Sequence, residues 1–97
     1  MKANAAIKRI GGLRKAKSFA KAIADKYGVK IEVCRHVNEE EPGDNFLNVL
    51  FEYECEKYRK FYDAFDKMEA WLNAYGLHLT YECCGDGDGT IESYRIR

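Results

Sequence analysis

Asp86, Gly87, Asp88, Gly89, Thr90 and Ile91 hold the densest spacing of ligand-type residues in the chain. Carboxylates two apart, then a glycine, then a β-branched apolar residue, is the order found in the middle of a helix-flanked calcium loop. Alignment on Gly89 puts Cys84 at the first ligand position and Arg95 at the twelfth, where a bidentate carboxylate is required. A cation in that place opposes calcium, and the flanks pattern as strands, so the segment reads as a glycine-rich hairpin turn. Cys34, His36, His78 and Cys84 are donors of the kind that tetrahedral zinc takes, and in a strand reading all four alternate onto one sheet face. They would form a site only if the strands carrying them were neighbours. No Cys-x2-Cys pair is present, and the adjacent Cys83 and Cys84 would point to opposite sides of a strand. Reduced thiols and surface histidines are therefore the reading, with no metal and no cofactor. Cys34 with His36 as nucleophile and base would need a pocket that a flat sheet does not offer. Carboxylates are abundant, but abundance is not the spaced acid pair of glycoside hydrolysis. Gly11-Gly12 and Gly85–Gly89 both lack the lysine-serine or strand-helix context of a phosphate loop. Catalytic residues are not expected, and a binding protein is.

Charge is sorted by position. Up to Val37 ten basic residues face only Asp25 and Glu32, whereas from Asn38 onward six basic residues face fourteen carboxylates, and the formal net charge is zero. Such asymmetry governs steering and association, not fold or reaction. The 97 residues suffice for one domain, 1–97, and the 46% hydrophobic content for one core. No apolar run approaches the roughly 20 residues that span a bilayer, and the N-terminus lacks the apolar stretch of a secretory signal. The expectation is a cytoplasmic protein with no membrane partner.

These side chains must be positioned by two helical patterns and four strand patterns. Leu13, Ala16, Ala20, Ile23 and Tyr27, joined by Phe19, make one apolar helical stripe, with Arg14, Lys15, Lys17, Lys21 and Lys26 around the rest. Gly11-Gly12 separates this helix from an earlier turn built on Ala5, Ala6, Ile7 and Ile10, since each glycine costs about 1 kcal/mol in a helix interior. Tyr58, Phe61, Phe65, Met68 and Leu72 recur at three-four spacing in a second helix, widened by Tyr62, Trp71 and Tyr75. Strands are expected over Val29–Val37, Phe46–Cys55, Leu77–Cys83 and Thr90–Ile96. Both helices stop at Tyr-Gly, Tyr27-Gly28 and Tyr75-Gly76, each followed at once by alternating residues, so the chain divides into two αββ halves, about 1–56 and 57–97. The fold class is α+β: an α-β-β-α-β-β order, a four-stranded, mainly antiparallel sheet, and two helices on one face in a two-layer sandwich.

Alternation then divides the sheet's residues. Val29, Ile31, Val33, Leu47, Val49, Phe51, Tyr53, Leu77, Leu79 and Tyr81 turn toward the helices, and the register of the last strand stays open. On the other side fall Glu32, Cys34, His36, Asn48, Leu50, Glu52, Glu54, Glu56, His78, Thr80 and Glu82, an acidic face. Aligned carboxylates repel, and attraction of a basic partner gives a reason for them. Glu32, Glu39, Glu40, Glu41, Asp44, Glu52, Glu54, Glu56 and Glu82 are the candidate partner-binding residues, with Tyr53, Tyr58, Tyr62 or Tyr94 as aromatic anchors. In size, single-domain α+β build and acidic surface the chain resembles the small phage-encoded inhibitors of bacterial defence, such as anti-CRISPR proteins that mimic nucleic acid. That resemblance implies a stoichiometric inhibitor acting in the host cytoplasm on a partner whose basic groove normally holds nucleic acid. The basic first helix departs from the uniformly acidic mimics, and no residue is carried across. Two other readings stand beside it: a nucleic-acid binder using Arg9, Arg14, Lys15, Lys17 and Lys21, and a self-associating protein, such as a homodimer, whose basic half meets its neighbour's acidic half.

Overall fold

The structure, a computed structural model, describes residues 1–84 and 90–97. Along the chain run α1 (Ala3–Ile10), α2 (Leu13–Tyr27), β1 (Lys30–Val37), β2 (Asn45–Glu52), a 3-10 turn (Cys55–Lys57), α3 (Tyr58–Asn73), β3 (Leu79–Cys84) and β4 (Ile91–Ile96). The α+β class and the α-β-β-α-β-β order are as the sequence implies. One helix is added. The segment before Gly11-Gly12 is a two-turn helix, because Ala3, Ala6 and Ile10 fall on one side of it and are buried in the common core. Gly11 and Gly12 take φ of 98° and 123°, where a Cβ would be strained, and let the chain leave α1 and enter α2 within two residues.

Helix α2 buries Ala16, Ala20 and Ile23 and ends on Gly28 at φ 70°, whose N–H donates to the Ala24 carbonyl. Helix α3 buries Phe61, Ala64, Met68 and Leu72. Small residues on α2 let it approach α3 closely enough for Phe19 to stack on Trp71, with ring centroids 4.4 Å apart and planes 9° from parallel.

The sheet order is β1-β2-β4-β3, with every neighbouring pair antiparallel. Each αββ half thus supplies one central and one edge strand, and the halves meet where β2 pairs β4. Strand β1 holds an unbroken register against β2, from Lys30 opposite Glu52 to Val37 opposite Asn45. Strand β3 is shorter and its register against β4 shifts between Tyr81 and Cys83. All three helices contribute to one core with Val33, Leu47, Val49, Phe51, Leu79 and Ile96. Register fixes the last strand: Tyr94 lies opposite Val49 and Tyr81 and so faces the helices, while Ser93 and Arg95 face away.

Strand β2 ends earlier than its alternation suggests. After Glu52 the Tyr53 N–H donates to the Thr90 carbonyl, and the chain turns into the 3-10 segment before the next ladder position. Glu54 and Glu56 therefore lie outside the strand.

Candidate protein-binding surface

The helix-free side of the sheet differs from the bare anionic surface that alternation implies. Phe46 is buried, at 6% exposure, yet stands apart from the core cluster, because its ring faces this reverse side. The Arg95 guanidinium lies 3.7 Å from the Phe46 ring centroid and donates through Nη2 to Glu82 Oε1 at 2.8 Å. His36 packs on the other part of the same ring at 4.7 Å. Asn48 Nδ2 donates to Ser93 Oγ, and the Cys34 thiol reaches Asn48 Oδ1 at 3.9 Å. Burial, then the nearby Glu32 carboxylate, pushes the Cys34 thiol above its ordinary range despite Lys17. The face is a mixed layer with its own internal bonding.

The nine candidate carboxylates are accordingly dispersed. Glu32 and Glu52 sit at the two sides of one β1–β2 end, and Glu82 is held by Arg95. Glu39, Glu40, Glu41 and Asp44 occupy the β1–β2 hairpin at the opposite end, closed by Asn38 N–H donating to the Asp44 carbonyl and Asp44 N–H to the Glu41 carbonyl. Glu54 immediately precedes the 3-10 turn and Glu56 lies within it, with Glu54 Oε2 3.7 Å from Lys57 Nζ. Period-two alternation cannot reveal a strand end, and the row Glu52, Glu54, Glu56 exists only if the strand continues.

The candidate zinc donors are separated as well. Cys34 and His36 lie on one edge strand and His78 leads into the other, so about 14 Å of sheet, three inter-strand spacings, divides them. Among the described residues no group of three or more His, Cys, Asp or Glu gathers to hold a metal. The Asp86–Gly89 stretch of the calcium-like motif and the Cys84 side chain lie outside the described residues.

Of the five cations assigned to phosphate contact, two are used within the fold. Arg9 Nη1 donates to the Gly76 carbonyl at 3.4 Å, and Lys15 Nζ sits 5.1 Å from the Tyr75 ring centroid. Both join the first two helices to the end of α3. Arg14, Lys17 and Lys21 are exposed and line the outer flank of α2.

Aromatic packing supplies a surface that charge counting did not locate. Tyr58, Tyr62, Phe61, Phe65, Tyr94 and Tyr81 form one run of ring contacts, with successive centroids 6.1, 5.3, 6.1, 4.8 and 5.6 Å apart. Its middle is buried under α3 and its ends emerge. Tyr58, Tyr62 and Tyr81 are 46%, 58% and 53% exposed. Alternation turns Tyr81 toward the helices, and it does face them, but it stands on the edge strand beyond their cover. Beside the run Tyr53 stacks on Phe61 at 4.5 Å, and the hydroxyls of Tyr53 and Tyr94 donate to Glu92 Oε2 and Oε1 at 2.6 and 3.0 Å. Tyr53, Glu54 and Lys57 also line a groove of about 320 Å³ with Gly28, Lys30 and Thr90.

Burial, and after it the hydrogen bond to Glu92, raises both hydroxyls well above the ordinary tyrosine range. A folded-state pKa above the unfolded one gives stability that is complete below about pH 10 and is lost as pH rises through the folded value. Denaturation midpoints are thus expected to be insensitive to these groups from pH 7 to 9 and to fall above about pH 10. In an absorbance titration Tyr53 and Tyr94 should ionise above the ordinary tyrosine range and together with unfolding. Ionisation of Tyr53 and Tyr94 near pH 10 in the folded protein would contradict the arrangement.

No known protein family, curated protein or solved structure matches the chain in comparisons of sequence and fold. Among the described residues no helix is long and apolar enough to cross a membrane.

Proposed function

We propose that the chain is a non-enzymatic binding protein whose tyrosine-rich end docks on a basic surface of a partner protein. The observation that carries this reading is the ring run that surfaces as Tyr58, Tyr62 and Tyr81. Exposed tyrosines backed by a rigid aromatic layer are suited to this role: each offers a large apolar body and a hydroxyl at little cost in side-chain entropy. Glu54 and Glu56 lie just before Lys57 and Tyr58 and supply the charge that steers a basic partner. In keeping with the resemblance to small phage inhibitors, the partner surface is one that otherwise holds nucleic acid, and occupancy by this chain blocks it.

The test is affinity capture from a bacterial lysate with graded salt elution. Glu54→Lys/Glu56→Lys should weaken recovery of the captured protein about tenfold and lower its eluting salt, whereas Arg14→Glu, on the far flank, should leave both unchanged. Equal recovery by all three proteins would remove the surface from consideration. A wild-type gel shift of DNA or RNA abolished by Arg14→Glu would establish nucleic-acid binding in its place.

A further inference from the structure

The outer edge of β1 and the flank of α2 form a second surface, on the side of the sheet away from Tyr81. Among the described residues strand β1 pairs only with β2, so along its other side alternate backbone N–H and C=O groups are open to a further strand. The two sheet edges are unequal. At β3 the register shift between Tyr81 and Cys83 breaks the regular repeat that an added strand would need, while β1 runs eight residues without a break. Between β1 and α2 lies a groove of about 290 Å³ with Ala20, Ile31 and Val33 as its apolar floor and Lys17 and Lys21 on its rim. Lys17 and Lys21 continue into a shallower depression with Leu13 and Arg14.

We infer that this edge binds an extended acidic segment of another protein, which adds as a fifth strand to β1. Alternate residues of the added strand would place apolar side chains over Ala20, Ile31 and Val33, and its flanking Asp or Glu residues would meet Lys17, Lys21 and Arg14. Charge complementarity selects this occupant. A second copy paired through β1 would lay two α2 helices side by side and set Arg14, Lys17 and Lys21 against their equivalents. A nucleic-acid backbone cannot complete a peptide ladder and gains nothing from an apolar floor. The surface is independent of the tyrosine-rich end, so either proposal can fail alone.

The probe is a synthetic eight-residue peptide with four central valine and isoleucine residues flanked by two acidic residues on each side, titrated into the isotopically labelled full chain. Amide shifts should be confined to Lys30–Val37 and to α2 around Lys17–Lys21, with slowed hydrogen exchange at β1 amides. Lys17→Glu/Lys21→Glu should weaken binding about tenfold without moving the thermal midpoint by more than a few degrees, because both side chains are exposed. A peptide with lysine flanks, or with proline at the second central position, should not bind. Equal affinity for the lysine-flanked or proline peptide, shifts located elsewhere, or the same β1 and α2 response to an oligonucleotide in place of the peptide would each overturn the inference. So would concentration-dependent dimerisation through β1 in the absence of peptide.

Discussion

Phe51→Ala should lower the thermal midpoint by roughly 15 to 30 °C, or leave the chain unfolded at 37 °C. The ring is fully buried on central strand β2 and meets Phe61, Phe65 and Tyr94 at 5.3, 5.8 and 5.6 Å. Truncating a buried phenylalanine costs about 3 to 5 kcal/mol, since the transfer free energy is lost and the cavity closes only in part. A domain of this size has a total stability of about 5 to 15 kcal/mol, and each kcal/mol moves its midpoint by about 4 to 8 °C. Here two other elements lean on one ring. Helix α3 contacts β2 through Phe61 and Phe65, and β4 does so through Tyr94, so relaxation around the void would have to move α3 off the sheet. Phe46→Ala is the informative comparison, because Phe46 lies two residues past the hairpin on the reverse side, outside the core cluster, with Arg95 and His36 against its ring. Those long polar side chains can settle into the gap, and the loss should be less than half as large. Differential scanning calorimetry of both variants checks the pair; similar losses would mean that the reverse layer contributes to stability as the core does.

The contrast between these two phenylalanines shows where sequence reasoning reached its limit. Helical stripes in α2 and α3 and the Gly28 stop were legible, because apolar period and helix-stop chemistry are local properties. So was the division of Val33, Val49 and Phe51 from Glu32, Asn48 and Glu52. Helix α1 was under-read because Ala3, Ala6 and Ile10 gain their meaning only from β2 and α2, against which they pack, and alanine by itself carries little apolar signal. Strand order governed the rest. Alternation says which side a residue faces and nothing about its neighbours across the sheet, so it could set Cys34 and His36 beside His78 although β2 and β4 intervene. It likewise counted Glu54 and Glu56 into a row that ends at Glu52, and counted Tyr81 as covered although its strand is the edge. Charge asymmetry along the chain survives only in part as a spatial fact. Of the five candidate phosphate-contacting cations, the three left after Arg9 and Lys15 are engaged lie together on the outer flank of α2, whereas the carboxylates are dispersed, and the exposed tyrosines belong to α3 and β3.

Tyr58→Ala/Tyr62→Ala should reduce partner binding by about a hundredfold or more while leaving the fold in place. These residues are one helical turn apart at the start of α3, and their rings meet edge to face at 6.1 Å. In the unbound chain such an exposed pair contributes about 0.2 to 0.5 kcal/mol, and the Phe61 ring that Tyr62 touches keeps its own contacts with Tyr53 and Phe51. The thermal midpoint should therefore move by only a few degrees. In a complex both rings would be covered by the partner, with Phe61 packed behind Tyr62. Central aromatic anchors cost about 2 kcal/mol or more each on truncation, which for two gives a factor of several hundred in dissociation constant. Tyr58→Phe/Tyr62→Phe separates the ring from the hydroxyl: it keeps the apolar body and should lose about tenfold at most if packing carries the contact. Capture of the same protein at wild-type strength by the alanine variant, with its fold verified by circular dichroism, would show that the rings take no part. Failure of the phenylalanine variant as complete as that of the alanine variant would instead place the affinity in two tyrosine hydrogen bonds, a contact to be sought at carboxylates or backbone carbonyls of the partner.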